Sequence, residues 1–401
     1  MRGFSHRVSV DDALDWLTEA TAPLDAEHVS LDAAAGRVTA AHVVSNQRVP
    51  DFARSMMDGY AVRAEDTEGA STYNPLRLKI VGEILPGAVS DVVIKAGHAI
   101  RIMTGAAVPQ GASGVLPAEY AEEQNDEVLV HATISPGKHV GQPGEDIQQG
   151  DVVLPVSRVL RPQDVGLLSS IGAAEVSVVR RPRVRIVITG DELLPAGTPP
   201  HGCKIPDANG PMLSALVRRD GGEPEVGAIV ADDPDAVLQA MQSDADVVLV
   251  SGGSSVGQED HAPRLLAEHG ELAIHGIAMR PSSPTGMGRL GRRLVFLLPG
   301  NPVSCLCAYD FFAGRAIRKL GGRNETWPYR TMRGPLVRKI SSAIGRLDYA
   351  RVQCDDAGIV PLAVSGASIL SSTTRADGFV IVPADSEGFA AETEVEVLLY
   401  D

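Results

Sequence analysis

Four short stretches of this chain gather residue types that handle phosphates and metal ions. They read Thr189-Gly-Asp-Glu192, Ala231-Asp-Asp233, Ser251 to Gly257 with Glu259 and Asp260 behind it, and Pro299-Gly-Asn-Pro302. In the third, Gly252, Gly253 and Gly257 let the backbone turn tightly and approach a ligand closely. The N–H groups following Ser251 can then form a concave nest for an anion, with the hydroxyls of Ser254 and Ser255 added. The loop lacks the lysine of a Walker A motif, and a merely tight turn is its bland reading. Glu192, Asp232, Asp233 and Asp260 are costly to gather unless a cation sits among them, and a hydrated Mg²⁺ bridging to a phosphate is the usual partner. Helix caps and solvated turns are the competing explanation. Asp233, directly before Pro234, fits a cap, whereas Asp232 and Asp260 are better metal or ligand candidates.

One composition shift bears on anion binding. Between Leu272 and Tyr309 there is no acidic residue, and Arg280, Arg289, Arg292 and Arg293 give that segment +4 in a chain of net charge −15. Arg292 and Arg293 precede a strand-like run and read as a solvated turn. Arg280, in Met-Arg-Pro-Ser-Ser-Pro, is the better candidate for holding an oxyanion.

These loops need elements to position them. From Pro182 onward buried strands alternate with helices: Val184 to Thr189, a helix from about Pro211 to Arg219, Glu225 to Val230, a helix from Asp235 to Gln242, and Val247 to Val250. A short helix near Pro263 to Glu268 and the strand Leu294 to Leu298 follow, and then a helix with Asn301 as N-cap and Pro302 at its first position, ending at Gly321-Gly322. This rhythm predicts a parallel sheet covered on both faces, and ligands of such sheets bind beyond the carboxyl ends of the strands, where the four polar loops fall. Ahead of it, Ser9 and Asp12 open a helix that Pro23 stops. Residues 27–180 then read as mainly β, with runs at Leu76 to Val81, Val92 to Lys95, Ala99 to Met103, Val128 to His131, Val152 to Leu154 and Val176 to Val179, and little that reads as a long helix. Short β segments return after about residue 325 (Leu336 to Ile340, Phe379 to Val382, Val395 to Leu399), which suggests a small barrel or sandwich.

The 401 residues suffice for several domains, and 36 basic against 51 acidic residues argue against a general binder of nucleic acid or anionic membranes. The four cysteines form no C-x-x-C pair, and no window approaches 18 consecutive apolar residues. Reduced thiols and a cytoplasmic location are expected.

Longer runs carry a resemblance: Val49-Pro-Asp-Phe-Ala-Arg-Ser-Met-Met-Asp-Gly-Tyr-Ala-Val62, Arg101-Ile-Met-Thr-Gly-Ala106, Gly144-Glu-Asp-Ile147, Arg181-Pro-Arg-Val184 leading to Thr189-Gly-Asp-Glu-Leu193, Ser251 to Asp260, and Leu298-Pro-Gly-Asn-Pro-Val-Ser304. In this order, over almost the whole chain, they resemble the MoeA-like molybdopterin molybdenumtransferases, which share their architecture with the C-terminal part of gephyrin. The resemblance implies a multi-domain α/β plus β protein: a parallel α/β molybdopterin-binding domain, two β-rich lobes and a C-terminal β-barrel-like domain. The expected division is a split β-rich domain at 27–45 and 147–180, an inserted β domain at 46–146, the α/β domain at 7–26 and 181–324, and the C-terminal domain at 325–401. The implied activity inserts molybdate into adenylylated molybdopterin with Mg²⁺ and releases AMP. The implied assembly is a homodimer whose cleft lies between the α/β domain of one subunit and the β lobes of the other. A molybdopterin-adenylylating protein and molybdoenzyme acceptors are possible partners.

Carried over by position, the resemblance makes Asp58, Thr104, Asp146, Glu192, Asp232 and Asp260 the catalytic set, with Glu192, Asp232 and Asp260 holding the metal. Ser251 to Ser255, Gly257, Arg280, Ser283, Pro299, Gly300, Asn301, Pro302 and Ser371 line the substrate. One stretch departs from the pattern: the family's Lys-x-x-x-Lys-Pro-Gly-Lys-Pro reads Gly276-Ile-Ala-Met-Arg280-Pro-Ser-Ser-Pro284 here. Arg280 keeps one of three positive positions, while Gly276 and Ser283 lose the others. Ser282, Ser283 and Thr285 could donate neutral hydrogen bonds in their place. The alternative reading is a catalytically weakened molybdopterin-binding carrier or scaffold.

Overall fold

A computed structural model of the chain describes residues 7–253, 261–363 and 366–400. Its central sheet has six strands in the order Glu223–Val226, Arg183–Ile188, Val247–Ser251, Arg293–Leu298, Gly286–Leu290 and Glu271–His275. The first four run parallel, and the last two are antiparallel to their neighbours, so the sheet is mixed rather than parallel throughout. The Gly286–Leu290 and Glu271–His275 strands were not expected; in the first, Gly286 and Gly288 hide the usual strand pattern. Those glycines serve close packing: a Cβ on Gly288 would lie 1.9 Å from the Glu271 carbonyl oxygen. Val247–Ser251 is buried at every position, as a strand covered on both faces should be. Glu223–Val226 is the exposed edge, which suits its Glu-Pro-Glu sequence.

The expected helices form with small shifts in their ends: Asn209–Arg219, Pro234–Met241 and His261–His269. The helix after Asn301 runs Pro302–Ala308, passes through a π turn at Tyr309–Ala313, and continues as Gly314–Leu320. The first helix, Val10–Ala20, is capped by Ser9, whose hydroxyl accepts from the Asp12 N–H at 3.0 Å. Its buried Val10, Ala13 and Leu17 join the core formed with Val184, Leu249 and Phe296 of the central sheet. Sequence distance is thus overridden by an amphipathic face that needs cover.

Between these parts, Ala26–Ser30 pairs with Glu175–Val179, and Val43–Val44 with Val152–Leu154. The intervening chain forms its own six-stranded sheet: Gly114–Pro117, Gly59–Val62, His98–Ile102, Leu76–Ile84, Glu127–Val130 and Ala121–Gln124. Two expectations fail here. Val92 to Lys95 is not a strand, since Val92 and Val93 are exposed and only Ile94 is buried. A helix, Pro162–Ser170, forms where none was read; Pro162 opens it, and the Asp164 carboxylate accepts from the Arg161 N–H at 2.9 Å.

The C-terminal strands pair along an open path, Met279–Arg280, Leu347–Asp355, Gly378–Val382, Glu394–Leu399 and Arg330–Pro335, with Gly358–Ala363 on the second. Among the described residues this path does not close into a barrel. Because Met279–Arg280 comes from the α/β segment, the pairing stitches that segment to the C-terminal sheet. No described helix is long and apolar enough to cross a membrane.

Candidate functional site

Beyond the carboxyl ends of Arg183–Ile188, Val247–Ser251 and Arg293–Leu298 lies a cleft of about 680 Å³. Of the residues proposed from sequence, Glu192, Asp232, Ser251, Gly252, Gly253, Pro299, Gly300, Asn301 and Pro302 line it. Ser254, Ser255, Gly257 and Asp260 lie outside the described residues. Asp233 does not line the cleft; it caps the Pro234–Met241 helix by accepting from the Ala236 N–H at 2.9 Å.

The glycines are there because backbone meets backbone. Gly252 has φ +105°, and a Cβ on it would sit 2.3 Å from the Thr189 carbonyl oxygen. Asp191 and Asp232 tie the first two loops reciprocally, each carboxylate accepting from the other residue's N–H, at 3.2 Å and 3.3 Å. Asn209 ties three more segments. Its Nδ2 donates to Ser251 Oγ at 2.9 Å and to the Gly300 carbonyl at 2.7 Å, and it is buried. Since a carbonyl can only accept, the second bond fixes which way the amide points. Asp207, on the same wall, accepts from the N–H groups of Asn209 and Gly210, both at 2.9 Å. Asp191, Asp207 and Asn209 were missed from sequence. The signal for Asp207 was present, an acid two residues before a helix.

The C-terminal segment closes one side. Ser368 donates its hydroxyl to Asn301 Oδ1 at 2.9 Å, and the Val303 N–H donates to the Ala367 carbonyl at 3.0 Å. Ser368 and Leu370 line the cleft, whereas Ser371 falls outside the lining and begins the short helix Ser371–Thr374.

Charge is distributed differently from the sequence expectation. The lining holds Glu192, Asp207 and Asp232 and, among the described residues, no basic side chain. Arginines of the acid-free segment are engaged elsewhere: Arg289 donates to the Ala20 carbonyl at 3.2 Å, and Arg293 to the Ser243 carbonyl at 2.5 Å. Arg280 pairs with Asp348, a fully buried carboxylate that also accepts from Ser342 at 2.8 Å and faces Arg346 at 3.2 Å. Two guanidiniums on one carboxylate leave a net +1. The hydroxyls expected to replace the missing lysines turn inward instead: Ser282 donates to the Ser304 carbonyl, Ser283 to that of Ile277 at 3.2 Å, and Thr285 to that of Ser282 at 2.8 Å.

Asp58 and Thr104 come together in the N-terminal lobe. One Asp58 oxygen accepts from both the N–H and the hydroxyl of Thr104, each at 2.7 Å, and these bonds hold its carboxyl below the usual range, the N–H contributing most. Asp146 is exposed in a nearby turn, its N–H donating to the Val49 carbonyl at 3.1 Å. None of these three lines the cleft of its own chain. Cys305 lies 3.8 Å from Ser251 Oγ, behind the cleft, and burial pushes its thiol up to about 12. It is therefore packing, not a sulfur ligand.

No group of three or more His, Cys, Asp or Glu among the described residues is placed to hold a metal by itself. Two acids of the lining, Glu192 and Asp232, suit an ion that takes one or two carboxylates and completes its shell with water and substrate phosphate.

Fold and cleft together define a multi-domain protein with a ligand-sized cleft at the carboxyl edge of an α/β sheet. A model of the MoeA N-terminal region (domain I and II) matches residues 8–172, one described as "Probable molybdopterin binding domain" matches 185–319, and the MoeA C-terminal region (domain IV) matches 333–400. The chain is 30% identical over 400 residues to the molybdopterin molybdenumtransferase of Staphylococcus aureus strain COL, covering 98% of this chain and 95% of that one. It is 35% identical over 382 residues to molybdopterin molybdenumtransferase 2 of Mycobacterium tuberculosis H37Rv, covering 92% and 94%. The crystal structure of the molybdopterin biosynthesis moeA protein from Pyrococcus horikoshii OT3 superposes with a TM-score of 0.81 at 31% identity, covering 98% of this chain and 100% of that one. The chain belongs to the MoeA family of molybdopterin molybdenumtransferases.

Proposed function

We propose that this chain transfers molybdenum from molybdate into adenylylated molybdopterin and releases AMP, as a step of molybdenum cofactor biosynthesis in the cytoplasm. The observation that carries the reading is the cleft itself, which is lined by Glu192 and Asp232 together with Gly252, Gly253 and Pro299 to Pro302 in a chain of this family. Glu192 and Asp232 would hold Mg²⁺, with Asp260 as the third acid; the ion would neutralise phosphate charge as the anhydride is cleaved. Gly252 and Gly253 allow phosphate oxygens to approach the backbone, and Pro299 and Pro302 set the direction of the loop and helix around it. Arg280 and Arg346, which share Asp348 outside the described lining with a net charge of +1, would supply the charge for the molybdate oxyanion. Asp58, Thr104 and Asp146 reach the cleft from the other subunit of a homodimer. A molybdopterin-adenylylating protein delivers the substrate, and molybdoenzymes receive the product.

The test is single-turnover conversion of adenylylated molybdopterin with Mg²⁺ and saturating molybdate. Stoichiometric AMP with active cofactor is expected; bound substrate without turnover would overturn the reading. That second outcome is what a carrier predicts, a role favoured by the missing lysines and the inward-turned hydroxyls. Ser283→Lys then tests whether lost charge is the reason. Gly276 is the poorer place to restore one, since its φ of +90° strains any side chain.

A further inference from the structure

Among the described residues, those other than glycine that take a left-handed φ are Asn125, His139, Ser157, Ser282 and Glu392. The rest are exposed or half-buried, but Ser282, at φ +81°, is only 2% exposed. A serine is strained in such a backbone because its Cβ crowds the following carbonyl oxygen, and the strain persists only where the surroundings over-determine it. Here they do. The Ser282 carbonyl accepts from both the N–H and the hydroxyl of Thr285, at 3.0 Å and 2.8 Å. Its own hydroxyl donates to the Ser304 carbonyl, in the helix Pro302–Ala308, and meets the Cys307 thiol of the same helix.

These bonds act on a loop that is closed on itself. The Gly276 N–H donates to the Thr285 carbonyl at 3.0 Å, the Ile277 N–H to that of Ser283 at 2.9 Å, and the Ser283 hydroxyl back to that of Ile277 at 3.2 Å. Pro284 of this loop lines the cleft, Arg280 pairs with Asp348 of the C-terminal sheet, and Ser304 lies two residues beyond Pro302, which also lines the cleft. Ser282 is thus the point at which the loop bearing Arg280 is fastened to the helix leaving the cleft. Arg280 is not placed by its own bonds alone, since its Nε is buried without a hydrogen-bond partner among the described residues. An unpaired buried donor is unfavourable, so the loop backbone must hold it there.

Resting on the oxyanion role proposed above for Arg280, we infer that Ser282 is a positioning residue for oxyanion binding, whose hydroxyl, anchored on Ser304, fixes the loop that carries Arg280. The position is glycine in the pattern from which this segment departs, so the anchor belongs to this chain. Glycine reaches φ +81° without strain but has no hydroxyl to fasten the loop. With two lysines of that pattern replaced by Gly276 and Ser283, fewer charges remain to hold an anion. A loop already ordered before the anion arrives loses less entropy on binding it, and this order offsets part of the missing charge.

The experiment measures molybdate affinity by calorimetry, and the rate of cofactor formation at saturating molybdate, for the full chain and two variants. Ser282→Ala keeps the strain and loses the anchor; Ser282→Gly loses both. Molybdate affinity is expected to fall about fivefold or more in each, with the saturated rate within about twofold of the parent. Amide hydrogen exchange at Ile277 and Thr285 should quicken in both. Thermal unfolding checks that each folds, and if the alanine variant does not, the glycine variant decides. Parent-like affinity in Ser282→Gly overturns the inference, and so does a slower saturated rate at unchanged affinity. Arg280→Gln tests the oxyanion reading separately: parent-like affinity there, or a parent that binds no molybdate, refutes that reading. Affinity lost in Arg280→Gln but kept in both Ser282 variants refutes only the positioning role.

Discussion

Asp58 shows how much one side chain can say and where it stops. The two bonds from Thr104 depress its pKa, so the carboxylate persists to lower pH than an ordinary aspartate. For a depressed acid the stabilisation is present above the unfolded value and lost as pH falls through the folded one. A carbon-detected NMR titration should place Asp58 below 3.8, and Thr104→Ala should raise it only part of the way, because the larger contribution is the N–H that alanine keeps. An ordinary value in the parent would show that the contact does not persist in solution. Thiol reactivity is a second check at this scale. Cys203 is exposed, whereas Cys305 and Cys307 are buried and their thiols are held protonated. A thiol reagent at pH 8 should modify Cys203 rapidly and reach the two buried cysteines only after denaturation.

At the scale of elements, the cleft exists because loops from different strands are bonded to one another. Asn209 joins the start of a helix, the end of Val247–Ser251 and the Pro299-to-Pro302 loop. Asn209→Asp keeps the shape but places a second acceptor against the Gly300 carbonyl. It should cost about 1–3 kcal/mol in chemical denaturation and weaken ligand binding more than that stability loss explains. Equal binding by the variant would show that the loops hold their places without it. Elements were legible where hydrophobic pattern and caps agreed, as at Ser9, Asp233 and Pro302. They were illegible where packing of another strand selected glycine, as in Gly286–Leu290, and where a polar Arg161-Pro162 start concealed a helix.

Across the whole molecule, two arrangements matter. The first is a buried charge network: Asp220 pairs with Arg219 at 3.0 Å and Arg318 at 3.1 Å, and Arg219 also meets Asp310 at 3.1 Å, while the Tyr329 hydroxyl donates to Asp310 at 2.9 Å. It fastens the α/β helices to the chain entering the C-terminal sheet. Removing one member strands buried charge, so Asp220→Ala should lower the unfolding free energy by about 3–5 kcal/mol; a loss under about 1 kcal/mol would mean the arginines re-pair or reach water. The second is the division of the site. If Asp58 serves the cleft of a partner subunit, Asp58→Ala and Asp232→Ala chains are each inactive, yet refolded together in equal amounts they should recover about a quarter of the parent's activity, from the one intact site in each mixed dimer. No recovery, with mixed dimers verified, would place both residues in the same site.

The sequence by itself determined the acids and glycines of the strand-end loops, the alternation that builds the central sheet and the runs that resemble the family. Each is local in sequence, set by periodicity, backbone freedom or capping. Only the tertiary structure decided which charges face the cleft. An arginine is always positive, but its use depends on the nearest carboxylate. Arg280 looked like a lone oxyanion grip until Asp348 and Arg346 appeared beside it from a segment more than sixty residues away in the chain. The hydroxyls of Ser282, Ser283 and Thr285 looked available until backbone carbonyls claimed them. Desolvation and pairing are properties of neighbours, and the neighbours are chosen by folding.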